Sequence, residues 1–271
     1  KIKTDTQTTC YFVKKETKEG IIPIILNHLL EQRRNTRKRI KQTNDENKKK
    51  VLDGLQLAYK VTANSVYGQM GAKYSAITFK KIAACTTSIG RERIYDAENG
   101  VKEWAKATGY HPPDVIYGDT DSVFVKFSRK HKDTNEILEG KEALRYCIDC
   151  GVQAGEWISK HKLNIGWIGD NGPQDLEYEK TFFPFILISK KRYTGDKYEY
   201  DINDCKRTSM GIVLKRRDNA HIVKYIFGNV IEKIMIEKDF ELAVNWLKEN
   251  LQMIRNKEFN VRYFVITKAL R

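Results

Sequence analysis

Val115-Ile-Tyr-Gly-Asp-Thr-Asp-Ser-Val-Phe-Val-Lys-Phe127 decides how this chain is read. Two apolar, β-rich runs, Val115–Tyr117 and Ser122–Phe127, flank Gly118-Asp119-Thr120-Asp121, so the stretch predicts a hairpin turning at those four residues. Two carboxylates one residue apart at such a tip offer oxygen ligands on a rigid, water-accessible edge. That suits Mg²⁺, which keeps octahedral oxygen coordination and binds through a few carboxylates plus substrate phosphates. In two-metal phosphoryl transfer one ion activates an attacking hydroxyl and the other neutralises the leaving group. The plainer reading is an Asp-rich turn, because Asp and Gly are common turn formers.

On the N-terminal side, apolar spacing predicts a long helix over about 83–107, with Ile89, Ile94, Ala97, Val101 and Trp104 inward, ended by His111-Pro112-Pro113. Before it, Ile22, Ile25, Leu26, Leu29 and Leu30 mark a helix opened by Gly20 and Pro23. A polar Thr43–Asn47 turn follows, then a helix with Val51, Leu55, Ala58, Tyr59 and Thr62 on one side. The pair reads as an antiparallel αα-hairpin. It is the most basic stretch of its region, with nine basic and three acidic residues between Glu31 and Lys50. Residues 1–19 read as strand and turn. On the C-terminal side, 140–162 reads as helix, and Leu176–Lys180 and Phe182–Ser189 as strands. Helices are expected over about 222–234 and 240–251, making the chain after about residue 219 a separate helical subdomain.

The 271 residues carry a net charge of +14. Such a surplus points to a polyanionic partner, nucleic acid or an anionic membrane surface, or to a lysine-rich solvated surface of the kind an AT-rich genome produces. No apolar run approaches a membrane span, and the N-terminus shows no signal-peptide pattern. Five cysteines, an odd number, suit a reducing compartment. Cys147-x-x-Cys150 is half a zinc site at most, since structural zinc takes four protein ligands.

Two further motifs carry chemistry. In Lys60-Val-Thr-Ala-Asn-Ser-Val-Tyr-Gly68, helical offsets of four and seven align Lys60, Asn64 and Tyr67. Lys60 suits the outer phosphates of a triphosphate, Asn64 adds a neutral hydrogen bond, Tyr67 offers a flat face to a base pair, and Gly68 lets a duplex approach the backbone. The alternative is an amphipathic helix with a solvated lysine. Lys190-Lys191-Arg192-Tyr193 follows an apolar strand, and its cations beside an aromatic suit duplex phosphates and minor-groove edges, or simply a basic strand end in solvent.

Taken in order, GIIP (20–23) with LLEQRR (29–34), KVTANSVYG (60–68), YGDTDSVF (117–124), LEYEKTFFP (176–184), SKKRYTG (189–195) and LKRRD (214–218) closely resemble the family B DNA polymerases, which include eukaryotic replicative and large DNA virus enzymes. Six motifs in the right order are far more specific than any one. The resemblance implies an α+β fold: a palm of antiparallel sheet with packed helices (1–19 and 65–218), a two-helix antiparallel fingers hairpin (20–64) and a helical thumb (219–271). It implies DNA-directed DNA synthesis with two Mg²⁺ ions, primer–template DNA and deoxynucleoside triphosphates, and suggests a sliding clamp or processivity factor as a further partner. It places the protein inside the cell, in the nucleus or at a viral replication site in the cytoplasm, with no membrane association.

By position, Asp121 matches the metal-bridging aspartate, Asp119 the neighbour that tunes the site and binds metal less directly, and Glu179 an acidic residue near the metals. Arg33 and Lys60 resemble the cations that grip the incoming triphosphate, with Asn64 beside them and Arg37 as an auxiliary one turn on. Tyr67 resembles the tyrosine that checks the nascent pair. Gly68, Lys190, Lys191, Arg192, Tyr193, Lys215, Arg216 and Arg217 are the expected DNA contacts. The pattern also departs from the family: no Asp-x-x-Ser-Leu-Tyr-Pro segment precedes Gly20, and the exonuclease acids are missing. The expectation is therefore a catalytic-half fragment that binds primer–template weakly and does not extend it alone. The competing readings are a non-catalytic relative kept as a nucleic-acid-binding scaffold, and a basic single-strand-binding protein, which would need no acids at a hairpin tip.

Overall fold

A computed structural model describes residues 2–4, 8–164, 174–215 and 218–267. The chain forms two compact units, Lys1–Arg93 and Ile94–Arg271.

In the first unit, α1 (Ile21–Gln42) and α2 (Glu46–Gly71) form the helical hairpin that the sequence predicts. Asp45 ends the connection and caps α2, its carboxylate accepting from the Asn47 and Lys48 amides at 2.9 and 3.2 Å. Glu46 in the first turn suits the positive end of the helix dipole. The seam of α1 is Ile22, Leu26, Leu29, Arg33, Thr36 and Ile40; that of α2 is Leu52, Gln56, Tyr59, Ala63, Val66 and Met70. Both alternate steps of three and four, the heptad spacing that keeps one face of each helix turned toward the other. The α2 face is thus turned from the one expected: Tyr59 lies in the seam, but Val51, Leu55, Ala58 and Thr62 are exposed. Gln56, a polar residue, occupies a seam position because it accepts a hydrogen bond from Arg33 Nε at 3.2 Å. Two short antiparallel strands, β1 (Ile2–Lys3) and β2 (Thr9–Cys10), lie against the start of α3 (Lys80–Thr108), where Ser88 Oγ donates to the Lys3 carbonyl at 2.6 Å.

The second unit begins in the later turns of α3. Here α3 packs on α4 (Gly140–Ile158) through Ala97, Val101, Trp104 and Ala105 against Cys150, Ala154 and Ile158. Val123, Val125 and Phe127 cover the cluster from the antiparallel hairpin of β3 (Asp114–Asp119) and β4 (Ser122–Lys126). Trp104, with 1 % exposure, stacks on Tyr110 and meets Phe127 edge-on, which makes it the anchor of this core. A second antiparallel sheet has the order β5 (Thr181–Ser189), β6 (Arg192–Tyr198), β7 (Lys206–Met210). It carries α5 (His221–Glu232) through Ile186, Ile212, Leu214, Phe227, Ile231 and Met235. An Asp239-capped helix α6 (Phe240–Arg255) follows.

Residues 176–180 do not form the expected strand. They run instead across α4 at Gly155, and Ser159 Oγ takes the Leu176 amide at 2.8 Å, so the ladder partner a strand would need is replaced by a helix end. The mixture of helices and small antiparallel sheets is the α+β class. Among the described residues no helix is long and apolar enough to cross a membrane.

Candidate active site

The first hairpin is tighter than its sequence implies. Asp119 pairs with Ser122, leaving only Thr120 and Asp121 as the turn. Thr120 is held at φ +55°, a region that a β-branched residue rarely occupies. Ser122 Oγ donates to the Asp119 carbonyl at 3.1 Å, and the Asp121 amide donates to the same oxygen at 2.6 Å.

The second hairpin, β5–β6, turns at Lys190-Lys191, with Ser189 paired to Arg192 and Lys191 at φ +61°. The sheets behind the two tips are joined by aromatic packing. Phe124 lies 5.2–6.2 Å, centroid to centroid, from Tyr117, Phe182, Phe185 and Tyr193. Tyr193 is therefore buried inward, as a support for the hairpin, whereas Lys190, Lys191 and Arg192 are exposed.

This packing brings the tips together. Lys191 Nζ donates to Asp119 Oδ1 at 2.5 Å, Thr120 Oγ1 donates to the same oxygen at 2.9 Å, and the Lys191 amide donates to the Tyr117 hydroxyl at 2.9 Å. The Lys191 hydrogen bond, reinforced by that of Thr120, holds the Asp119 carboxyl below the usual carboxylate range, and the same bond raises the Lys191 pKa. The two aspartates thus have different surroundings. Asp119 is clasped; Asp121 is exposed, and among the described residues its carboxylate makes no hydrogen bond or ion pair.

Glu179 is exposed, with Lys180 Nζ on its carboxylate at 3.0 Å. Among the described residues no three acidic, histidine or cysteine side chains gather closely enough to hold a metal ion. The hairpin acids fit a divalent cation in donor type, hard carboxylate oxygen, with Asp121 the open one; they do not by themselves form a closed cage.

In the first unit, Arg33 is half-buried in the hairpin seam, while Arg37, Lys60, Asn64 and Tyr67 are exposed. Lys60 lies one turn beyond Gln56, the partner of Arg33, so both cations occur at nearly the same level of the hairpin. A Cβ at Gly68 would have nothing within 4 Å, so the backbone there is open to close approach. Lys215 ends a short 3₁₀ turn, Val213–Lys215; Arg216 and Arg217 lie outside the described residues.

The comparison with known sequences decides the family. The model of DNA polymerase family B matches residues 2–271.

The chain belongs to the family B DNA polymerases.

Among family B relatives, it is 41% identical to a DNA polymerase of Pyramimonas orientalis virus over 315 aligned residues, covering all of this chain and 25% of that protein. It is 36% identical to the DNA polymerase delta catalytic subunit of Candida albicans, over 98% of this chain and 24% of that one. With the corresponding subunit of Schizosaccharomyces pombe the identity is 38%, over 96% and 22%. The chain spans about a quarter of the length of these family B polymerases. The clasp between Lys191 and Asp119 had no local signal, because the partners are 72 residues apart. Tyr117 and Phe124, which build the support under it, were legible only as apolar strand residues.

Proposed function

We propose that this chain serves DNA-directed DNA synthesis, the transfer of a deoxynucleotide from its triphosphate to a primer 3′-hydroxyl. The α1–α2 hairpin acts as fingers (20–64), the sheets and α3–α4 as palm (1–19 and 65–218), and the helices after residue 219 as thumb. The observation that carries this reading is the unequal pair at the β3–β4 tip, where Asp119 is clasped by Lys191 and Asp121 is left open.

Asp121 would hold Mg²⁺, with Asp119 behind it and Glu179 contributing from the neighbouring segment; two such ions would supply charge neutralisation at the attacking and leaving oxygens. The side chains of this chain have their own parts. Lys191 favours the charged form of Asp119 and positions the turn that presents Asp121. Arg33 and Lys60 neutralise the triphosphate, with Arg37 and Asn64 beside them, and Tyr67 offers a flat face to the nascent base pair. Lys190 and Arg192 meet backbone phosphates, joined by Lys215, Arg216 and Arg217. A sliding clamp or another processivity factor is a further partner of this reading.

Metal binding by the chain itself tests the site without depending on turnover. Mn²⁺, a paramagnetic substitute for Mg²⁺, should broaden the amide resonances of Gly118–Ser122, and Asp121→Asn should remove that broadening. Equal broadening in wild type and variant would place the metal elsewhere.

A further inference from the structure

The five cysteines are all free thiols, and the site described above uses none of them. Two of them meet: Cys10 in β2 and Cys85 in α3 lie within hydrogen-bond reach of each other. The whole strand pair is docked on this side of α3. Cys85, Ser88 and Arg91 recur at steps of three, which places them in one row along the helix. Each member of the row meets the strand pair. Ser88 Oγ donates to the Lys3 carbonyl at 2.6 Å, and Arg91 Nη2 donates to the Thr4 carbonyl at 3.4 Å. In the β1–β2 ladder Lys3 pairs with Thr9 and Ile2 with Cys10, so the ladder that offers Lys3 to Ser88 also brings Cys10 to Cys85.

The two thiols differ in access. Cys85 is 3 % exposed, and burial, with Cys10 beside it, pushes its pKa up. Cys10 is only half-buried, so a small oxidant in solvent reaches it first. An accessible thiol beside a shielded one suits stepwise oxidation, in which the second sulfur resolves what the first has begun. The place of the pair in the chain gives it leverage. Cys10 precedes α1 and Cys85 follows α2, so a bond between them closes the segment that carries the whole helical hairpin. Cross-linking the ends of a long segment restricts its conformations.

We propose that Cys10 and Cys85 are a peroxide-sensitive dithiol site, closing to a disulfide that fastens β2 to α3 at the roots of the helical hairpin. Hydrogen peroxide is the oxidant. The Cys10 thiolate attacks its O–O bond, giving the Cys10 sulfenic acid and a hydroxide that takes up the proton of the Cys10 thiol as water. The Cys85 sulfur then attacks the sulfenic sulfur. The S–S bond forms, the S–O bond breaks, and the departing hydroxide leaves with the Cys85 proton as water. Two thiols lose two electrons and one peroxide gains them. A dithiol reductant reverses the change by exchange. On the reading of α1–α2 as fingers, on which this consequence rests, the disulfide restrains their movement and slows nucleotide addition.

The test has two arms. In the first, the full chain is treated with hydrogen peroxide, remaining thiols are blocked, and a non-reducing digest is read by mass spectrometry. A peptide linking Cys10 to Cys85 is expected, lost after dithiothreitol and in Cys10→Ser. In Cys85→Ala, which lacks the resolving sulfur, Cys10 should stop at the sulfenic acid and be captured by dimedone. Wild-type Cys10 should be captured severalfold less. Circular dichroism matching the wild type checks that the variants are folded. In the second arm, the full-length protein adds one nucleotide to a primer–template in a single turnover, before and after oxidation. The rate should fall severalfold, recover with dithiothreitol, and stay unchanged by peroxide in Cys10→Ser.

A Cys147–Cys150 link in place of the expected one overturns the site, as does equal dimedone capture of Cys10 in wild type and Cys85→Ala. A Cys10–Cys85 disulfide with an unchanged rate overturns its hold on the hairpin and leaves the dithiol site standing. If the reduced full-length protein does not extend at all, the polymerase reading falls, and the first arm still decides the disulfide.

Discussion

Replacing Gly155 by alanine tests how α4 holds the segment that delivers Glu179. A Cβ at Gly155 would lie 2.5 Å from the Leu176 carbonyl oxygen, about 1 Å inside comfortable contact. The obstacle is backbone, which cannot rotate away, and it is tied down by Ser159 Oγ, which accepts from the Leu176 amide at 2.8 Å and donates to Asp175 at 3.0 Å. Overpacking of this kind costs about 1–3 kcal/mol. Exchanging glycine for alanine inside a helix returns about 1 kcal/mol. The net expectation is a loss of about 1 kcal/mol, with a range from neutral to about 2. Gly228→Ala in α5 is the control in the same unit, since its Cβ would meet only a Leu214 methyl at 3.4 Å. It should be neutral or stabilising by up to about 1 kcal/mol. Urea unfolding of both variants, followed by tryptophan fluorescence, gives the comparison, and hydrogen exchange at the Leu176 amide gives a local one. If Gly155→Ala unfolds at the same urea concentration as Gly228→Ala or a higher one, with Leu176 equally protected, the close approach of α4 to this segment is refuted.

Lys191→Met should raise the Asp119 pKa, since its largest cause of depression is removed. A carboxyl lowered in the folded state stabilises the fold above its unfolded pKa of about 3.9 and loses that contribution as pH falls through the folded value. The variant should therefore show a flatter acid-side stability profile below about pH 4, and an unmoved Asp119 carboxyl titration by ¹³C NMR would contradict the clasp. In the full-length protein, Lys60→Ala and Arg33→Ala should each weaken use of the incoming nucleotide by about tenfold, the loss of one charge-assisted contact. Single-turnover extension over a nucleotide titration reads it, and wild-type behaviour in both variants would move the triphosphate site. Only Arg33→Ala should also loosen the helical hairpin, because only Arg33 bonds across its seam.

The helical hairpin and the β3–β4 turn were legible because local signals agree there. Asp45 caps, apolar residues recur at three and four, and two β-rich runs flank an Asp-Thr-Asp turn. The α2 face was misplaced because Val51 and Leu55 look like core residues, while the true seam admits Gln56, whose partner is 23 residues away. Strands β6 and β7 carried no strand signal. Arg192–Tyr198 buries Tyr193, Thr194 and Gly195 consecutively, and Thr194, fully buried, is satisfied by Ser209 Oγ at 2.8 Å and the Thr208 carbonyl. Lys206–Met210, with no apolar alternation of its own, is held as a strand by its ladder with β6, including the Arg207 bridge to Asp196. Candidate site residues were visible as chemistry, through charge and carboxylate spacing. Which of them meet was not, since the encounter of Lys191 with Asp119 depends on the aromatic packing between two hairpins.

The central claim is that Asp121 is the carboxylate at which the metals act. Primer extension in Mg²⁺ by the full-length protein, comparing wild type, Asp119→Asn and Asp121→Asn at equal primer–template occupancy, tests it most directly. Asp121→Asn should abolish extension while binding primer–template nearly as well as wild type, and Asp119→Asn should retain reduced activity. Wild-type extension by Asp121→Asn would contradict the account.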